Sequence, residues 1–141
     1  MSILDTTPSR WANPMLAVLR IVSGLLFMST GSMKLFNYPP GMPDHPSFLH
    51  PLSLIGVAGI LEFFGGLAIA LGFCTRPVAF IVSGEMAVAY FMKHYPTSFF
   101  PTVNNGVPAV LYCFIFLYLV FSGPGAWSID GILSRRRPGR L

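Results

Sequence analysis

Apolar residues along the chain gather into four long runs, divided by short connections rich in proline, glycine and polar residues. The runs cover about 14–36, 52–73, 77–94 and 107–121. A helix that crosses a bilayer needs roughly 17 to 25 residues. The first two runs meet that requirement, the third is at its lower edge, and the fourth spans only if its flanks join it. Lipid offers no partner for backbone polar groups, so spanning segments of this kind must be helical. The alternating pattern of a membrane β-barrel is absent. The pattern predicts an all-α fold, an integral membrane four-helix bundle that forms one domain over 1–141.

The connections have distinct characters. "NYPPGMPDHPSFLHP" carries five prolines, which cannot continue a helix and favour a stiff, extended path. "GFCTRP" is a tight turn in which Gly72 ends one helix and Pro77 suits the first turn of the next. "YPTSFFPTVNNG" places two phenylalanines among prolines and reads as an ordered loop with aromatic anchors at the membrane interface. After the last run, "SGPGAWSIDGIL" turns sharply. Ser128 is a candidate cap for a short helix, and Trp127 a candidate surface anchor.

Composition agrees with this pattern. The 141 residues are 53% hydrophobic and 10% charged, against about 25% charged in a soluble domain. With four spans, one side holds Arg10, Arg20, Arg76, Arg135, Arg136, Arg137 and Arg140, and the other only Lys34 and Lys93. The positive-inside rule then puts both termini in the cytoplasm. The net charge of +4 follows from topology, and the "RRRPGR" tail suits anionic lipid head groups rather than nucleic acid. The start, "MSILDTTPSRWANP", lacks a basic n-region, and no small-residue cleavage site follows the first run. That run reads as a retained helix. Cys74 and Cys113 lie toward opposite faces, too far apart for a disulfide.

Charges inside the apolar runs carry the candidate chemistry. Arg20, Gly24, Phe27, Gly31 and Lys34 repeat at spacings of 4, 3, 4 and 3, which puts them within about 40° of one line on a helix. Both cations and two glycines therefore share a face, and small residues let another backbone approach closely. Glu62 and Glu85 fall near the middle of the second and third runs. Helical side chains lean toward their own N-terminus, which pairs Glu62 with Lys34 and Glu85 with Arg20. Two readings follow: buried ion pairs that fix helix register, or a polar track for protons, a quinone or an ion. His45, His50 and His94 share the non-cytoplasmic side with Asp44 but match no metal-binding spacing, so they read as loop and interfacial residues. Tyr112, Phe116, Tyr118 and Phe121 read first as packing on the fourth helix, with quinone stacking as the alternative. Phosphate loops, nucleophile triads, haem motifs and Cys clusters are absent, so the sequence identifies no catalytic residue.

Taken in order, "LRIVSGLLFMSTGSMKL", "LEFFGGLAIALGFCTRPVA", "EMAVAYFMKHYP", "FFPTVNNGVPAVLYCFIFLYL" and "SGPGAWSID" resemble the helices and turns of the DoxX family of small bacterial inner-membrane proteins, from about Leu19 to Asp130. The resemblance implies a multi-pass four-helix protein of the inner membrane, with matching polar positions at Arg20, Lys34, Glu62, Arg76 and Asp130. Members often read "NGGE" before the last helix, whereas this chain has "NNGVP", with Val107 in place of the acid. The family implies a subunit or accessory of a redox-linked membrane complex, of quinone or thiol and sulfur chemistry. Such a chain has no intrinsic cofactor; a quinone would contact Arg20, Glu62 and Glu85, with Tyr112, His94, Arg76 and Asp130 as accessory positions. Partners would be the lipid bilayer and other membrane or redox subunits, or further copies of the chain. The alternatives are an assembly protein without chemistry of its own, which predicts satisfied charge pairs and no cavity, and a small-solute transporter.

Overall fold

A computed structural model describes residues 9–41 and 52–136. These residues form five α-helices and no strand: α1 (Ala12–Phe36), α2 (Leu54–Leu71), α3 (Thr75–Ala89), α4 (Val107–Ser122) and α5 (Ile129–Arg135). A π-helical turn over Tyr90–His94 continues α3 without a break. α1 and α2 are long and apolar enough to cross a membrane, and α4 is a shorter apolar helix.

Local chemistry sets the helix ends. Ser53 caps α2 by accepting from the Gly56 N–H at 3.0 Å, and Ser128 caps α5 by accepting from the Gly131 N–H at 3.1 Å, the role expected of Ser128. Gly72 takes the left-handed conformation (φ 66°) that closes α2, as its position in "GFCTRP" predicts.

The helices associate as two antiparallel hairpins. α1 lies along α2 and α3 along α4; α2 also meets α3, while α1 and α4 touch only lightly. Glycine makes the first hairpin unusually close. A Cβ added at Gly31 would stand 2.3 Å from the Phe63 amide nitrogen, and one at Gly66 would stand 2.5 Å from the Met28 nitrogen. Gly24 and Gly31 on α1 are seven residues apart, as are Gly59 and Gly66 on α2. In antiparallel register each glycine of one helix therefore faces a glycine-containing turn of the other.

Side chains hold the second hairpin and join it to the first. The core is Phe27, Ile69, Ala79, Val82, Met86, Ala109, Phe116 and Leu119. Phe27 meets Phe116 edge-on, with ring centroids 4.9 Å apart. Outside this core the helices present large apolar side chains, among them Leu26, Phe64, Phe80, Leu111 and Phe121. An apolar exterior around a small core is the inverse of a water-soluble surface and suits a surrounding bilayer.

Candidate functional site

The close approach of α1 and α2 brings Lys34 and Glu62 together. The Lys34 ammonium donates to Glu62 Oε1. The Thr30 hydroxyl lies 2.9 Å from Glu62 Oε2 and 2.7 Å from the Phe27 carbonyl, one proton serving two acceptors. Glu62 is 2% exposed, whereas Lys34 keeps 21% of its side-chain surface. A buried carboxylate is tolerated on such terms, with a cation and a further donor.

This pair forms part of the wall of a cavity of about 270 Å³ that reaches all four long helices. Thr30 and Lys34 come from α1, Glu62 from α2, Glu85 from α3 and Tyr112 from α4, with His94 of the π turn at the edge. Apolar residues make up most of the remaining wall, including Phe27, Met86 and Ala109. Tyr112 is held in place by its neighbours. Its ring lies 5.2 Å from that of Phe27 and stacks on Phe116 at 5.6 Å and 17°.

Glu85 is the outlier. Both of its carboxyl oxygens are buried, and neither has a hydrogen-bond partner among the described residues. Buried polar atoms without a partner are rare and costly. The expected pairing of Glu85 with Arg20 is therefore not found.

Arg20 is occupied elsewhere, at the end of the molecule that carries the α2–α3 turn. It is fully buried and donates to five backbone carbonyls: Ile69 and Ala70 in the last turn of α2, and Pro124, Ala126 and Trp127 beyond α4. Helix C-termini leave carbonyls without partners, and a guanidinium presents five N–H donors in a fixed fork. These acceptors outcompete a single carboxylate and take Arg20 away from the cavity.

Arg76 and Asp130 belong to the same end. Arg76 Nη1 donates to the Val120 carbonyl at 3.0 Å, in the last turn of α4. The Asp130 carboxylate accepts from the Cys74 and Thr75 N–H groups at 2.8 Å each, at the start of α3. Burial pushes the Asp130 carboxyl up, but those amides and nearby Arg20 outweigh it and hold it below the usual carboxylate range. Of the residues singled out from sequence, Lys34, Glu62, Glu85, Tyr112 and His94 thus share one cavity. Arg20, Arg76 and Asp130 tie the helix ends together some distance away.

The π turn positions His94. Its Nδ1 lies 2.9 Å from the Asn104 carbonyl, an acceptor only, so Nδ1 carries the hydrogen and Nε2 of the neutral ring is the acceptor. Asn104 in turn donates to the Ser98 carbonyl at 2.8 Å and accepts from the Gly106 N–H at 2.8 Å. The Tyr90 hydroxyl donates to the Phe99 carbonyl at 2.8 Å. This network orders the α3–α4 loop beside the cavity mouth, where Lys93 also stands. Thr30, Lys93 and Asn104 were not singled out from sequence, although Thr30 sits one turn before Lys34. His45, His50 and Asp44 lie outside the described residues. Cys74 and Cys113 are both free thiols.

Comparisons with known proteins point to a membrane-protein family. The DoxX family model matches residues 15–95. An uncharacterized protein of Haemophilus influenzae is 42% identical over 82% of this chain and 87% of its own length. The inner membrane protein YqjF of Escherichia coli is 34% identical over 84% and 92%. An uncharacterized membrane protein of Mycobacterium tuberculosis is 27% identical over 87% and 83%. No solved structure matches the chain significantly. The family match spans more than half of the residues and the first two relatives align over most of both chains, so this membrane protein belongs to the DoxX family.

Proposed function

We propose that this chain is a multi-pass inner-membrane protein in which α1 to α4 form a four-helix bundle, one domain over 1–141 with both termini cytoplasmic. Within the membrane it holds a quinone for a redox-linked complex whose partner subunit supplies the electrons. The observation that carries the reading is Glu85: a buried carboxyl without a partner among the described residues, on the wall of a mostly apolar cavity. Ligand sites of this kind pair an apolar body with a few placed polar groups.

A quinone suits the set of groups present. Its flat ring lies against Tyr112. One carbonyl accepts from Lys34, which keeps donors beyond its bond to Glu62. The Glu85 carboxyl, when protonated, donates to the opposite carbonyl. Arg20 takes no part, since its donors are satisfied by backbone carbonyls at the other end. The positive-inside asymmetry supports the topology, with Lys34 and Lys93 at the cavity end and the arginines at the turn end.

Extraction in a mild detergent, followed by analysis of the bound lipids, tests the reading directly. A co-purifying quinone is expected, together with saturable binding of a quinone analogue. Glu85→Leu should weaken the analogue about tenfold, the loss of one hydrogen bond. A preparation with no quinone and no affinity for the analogue refutes the proposal and leaves the assembly role.

A further inference from the structure

A second apolar recess of about 290 Å³ lies on the outer side of the seam between α1 and α4. Leu19, Val22 and Leu26 of α1 form one side, and Leu111 and Ile115 of α4 form the other. The recess carries no charged residue, and the Ser23 hydroxyl on its wall is already donated to the Arg20 carbonyl at 3.2 Å. A lining of this kind suits hydrocarbon rather than a polar group.

Its position relative to the first cavity is informative. Pro108 and Tyr112 line both spaces, so the Tyr112 ring is the partition between a chamber with charged groups and a groove with none. The seam itself is uneven. At the turn end Arg20 of α1 grips the segment that follows α4. Midway, Phe27 meets Phe116. Otherwise α1 and α4 make few contacts, and Leu26 and Leu111 are 55% and 57% exposed. The groove follows α1 from Leu19 to Leu26, about 10 Å at 1.5 Å per residue.

We infer that this groove is the subsite for the apolar tail of the cavity ligand, which lies over Tyr112 with its polar head in the cavity and its tail between α1 and α4. The inference rests on the quinone reading and extends it. It assigns ligand class by shape: an amphiphile with a flat polar head and one hydrocarbon tail. The helix pair α1–α4 leaves the tail in contact with bilayer on its outer side, so a long tail runs on into lipid without a size limit.

The test compares two quinones on the full-length protein in detergent: the same ring with no side chain and with a decyl chain. Leu26→Trp and, independently, Leu111→Trp fill the groove at exposed helix positions. Ile81→Trp, at 53% exposure on α3 and lining neither space, is the control. Circular dichroism and gel filtration check that each variant folds. Either groove variant should weaken the decyl quinone about tenfold, the share of roughly two buried methylenes, and leave the ring-only quinone within about twofold. The control should leave both unchanged. If the groove variants leave the decyl quinone unchanged, or weaken both quinones equally, the tail is not there and the groove is occupied by bilayer acyl chains. A decyl-specific loss in Ile81→Trp as well shows that the effect does not belong to the groove and also overturns the inference. If neither quinone binds the unaltered protein, the quinone reading itself fails, a result distinct from the others.

Discussion

Replacing Gly31 by alanine adds a single methyl group where α1 and α2 have no space for one. The new Cβ would lie 2.3 Å from the Phe63 nitrogen and 2.8 Å from the Gly59 oxygen. Ordinary contact begins at 3.4 Å, so the two backbones must separate by about 1.1 Å (3.4 − 2.3). No rotamer can relieve this, since both obstructing atoms are main-chain. Overpacking costs about 1–3 kcal/mol where side chains can adjust, so the upper end applies here. Alanine recovers about 1 kcal/mol of helix propensity over glycine, leaving a net loss of about 2 kcal/mol. For a chain of this size that corresponds to a Tm lowered by about 8 °C. Gly84, in α3, is the internal control. A Cβ there meets nothing within 4 Å, so Gly84→Ala should be neutral or stabilising by up to about 1 kcal/mol. Thermal unfolding followed by circular dichroism in one detergent compares the two. If Gly31→Ala melts at or above the temperature of the unaltered protein, the backbone contact between α1 and α2 is not as described.

Glu85→Leu should stabilise the fold by about 1–3 kcal/mol, because it removes a buried polar group without a partner among the described residues, while weakening the quinone analogue about tenfold; unfolding and binding assays on one preparation read both effects. Lys34→Met leaves Glu62 buried with no cation and should cost about 3–5 kcal/mol. The exchange Lys34→Glu with Glu62→Lys should recover part of that loss, and a double variant no better than the worse single would deny the pairing. Arg20→Lys retains the charge but not the five-donor fork, so it should lose about 3 kcal/mol or more and admit protease between α4 and α5. Asp130 titrates below its ordinary value in the folded protein. Its contribution is present above the unfolded-state value and is lost as pH falls through the lower folded one. Amide exchange at Cys74 and Thr75 should accelerate on acidification across that range, and Asp130→Asn should remove the dependence.

Helix positions were largely legible from hydropathy because each long run ends at a residue with a mechanical reason to stop. Gly72 is an example, ending the second run in a left-handed conformation; Ser128 supplies the matching start signal for α5. The Lys34–Glu62 contact was legible for a related reason, since helical periodicity and side-chain lean both act within single helices. Arg20 was misjudged because its partners are backbone carbonyls. Five of them are released by the end of α2 and by the irregular stretch after α4, and no side-chain pattern marks them. The third run continues to His94 as expected, but the change from α to π geometry at Tyr90 has no hydropathic signature. The cavity could not be anticipated from sequence, as it depends on residues from all four long helices that are up to 85 positions apart, Phe27 to Tyr112.

The glycine contact between α1 and α2 also bears on ligand choice. Where main chain rests on main chain there are no rotamers to change, so the spacing of α1 and α2 behind that half of the cavity wall is fixed. The opposite half rests on side chains such as Met86, Ala109 and Tyr112, and methionine in particular can refill an altered space. Discrimination among head groups of different size therefore belongs to α3 and α4. Exchanges on those two helices are the route by which a relative of this protein would come to hold a different molecule while keeping the same charged pair.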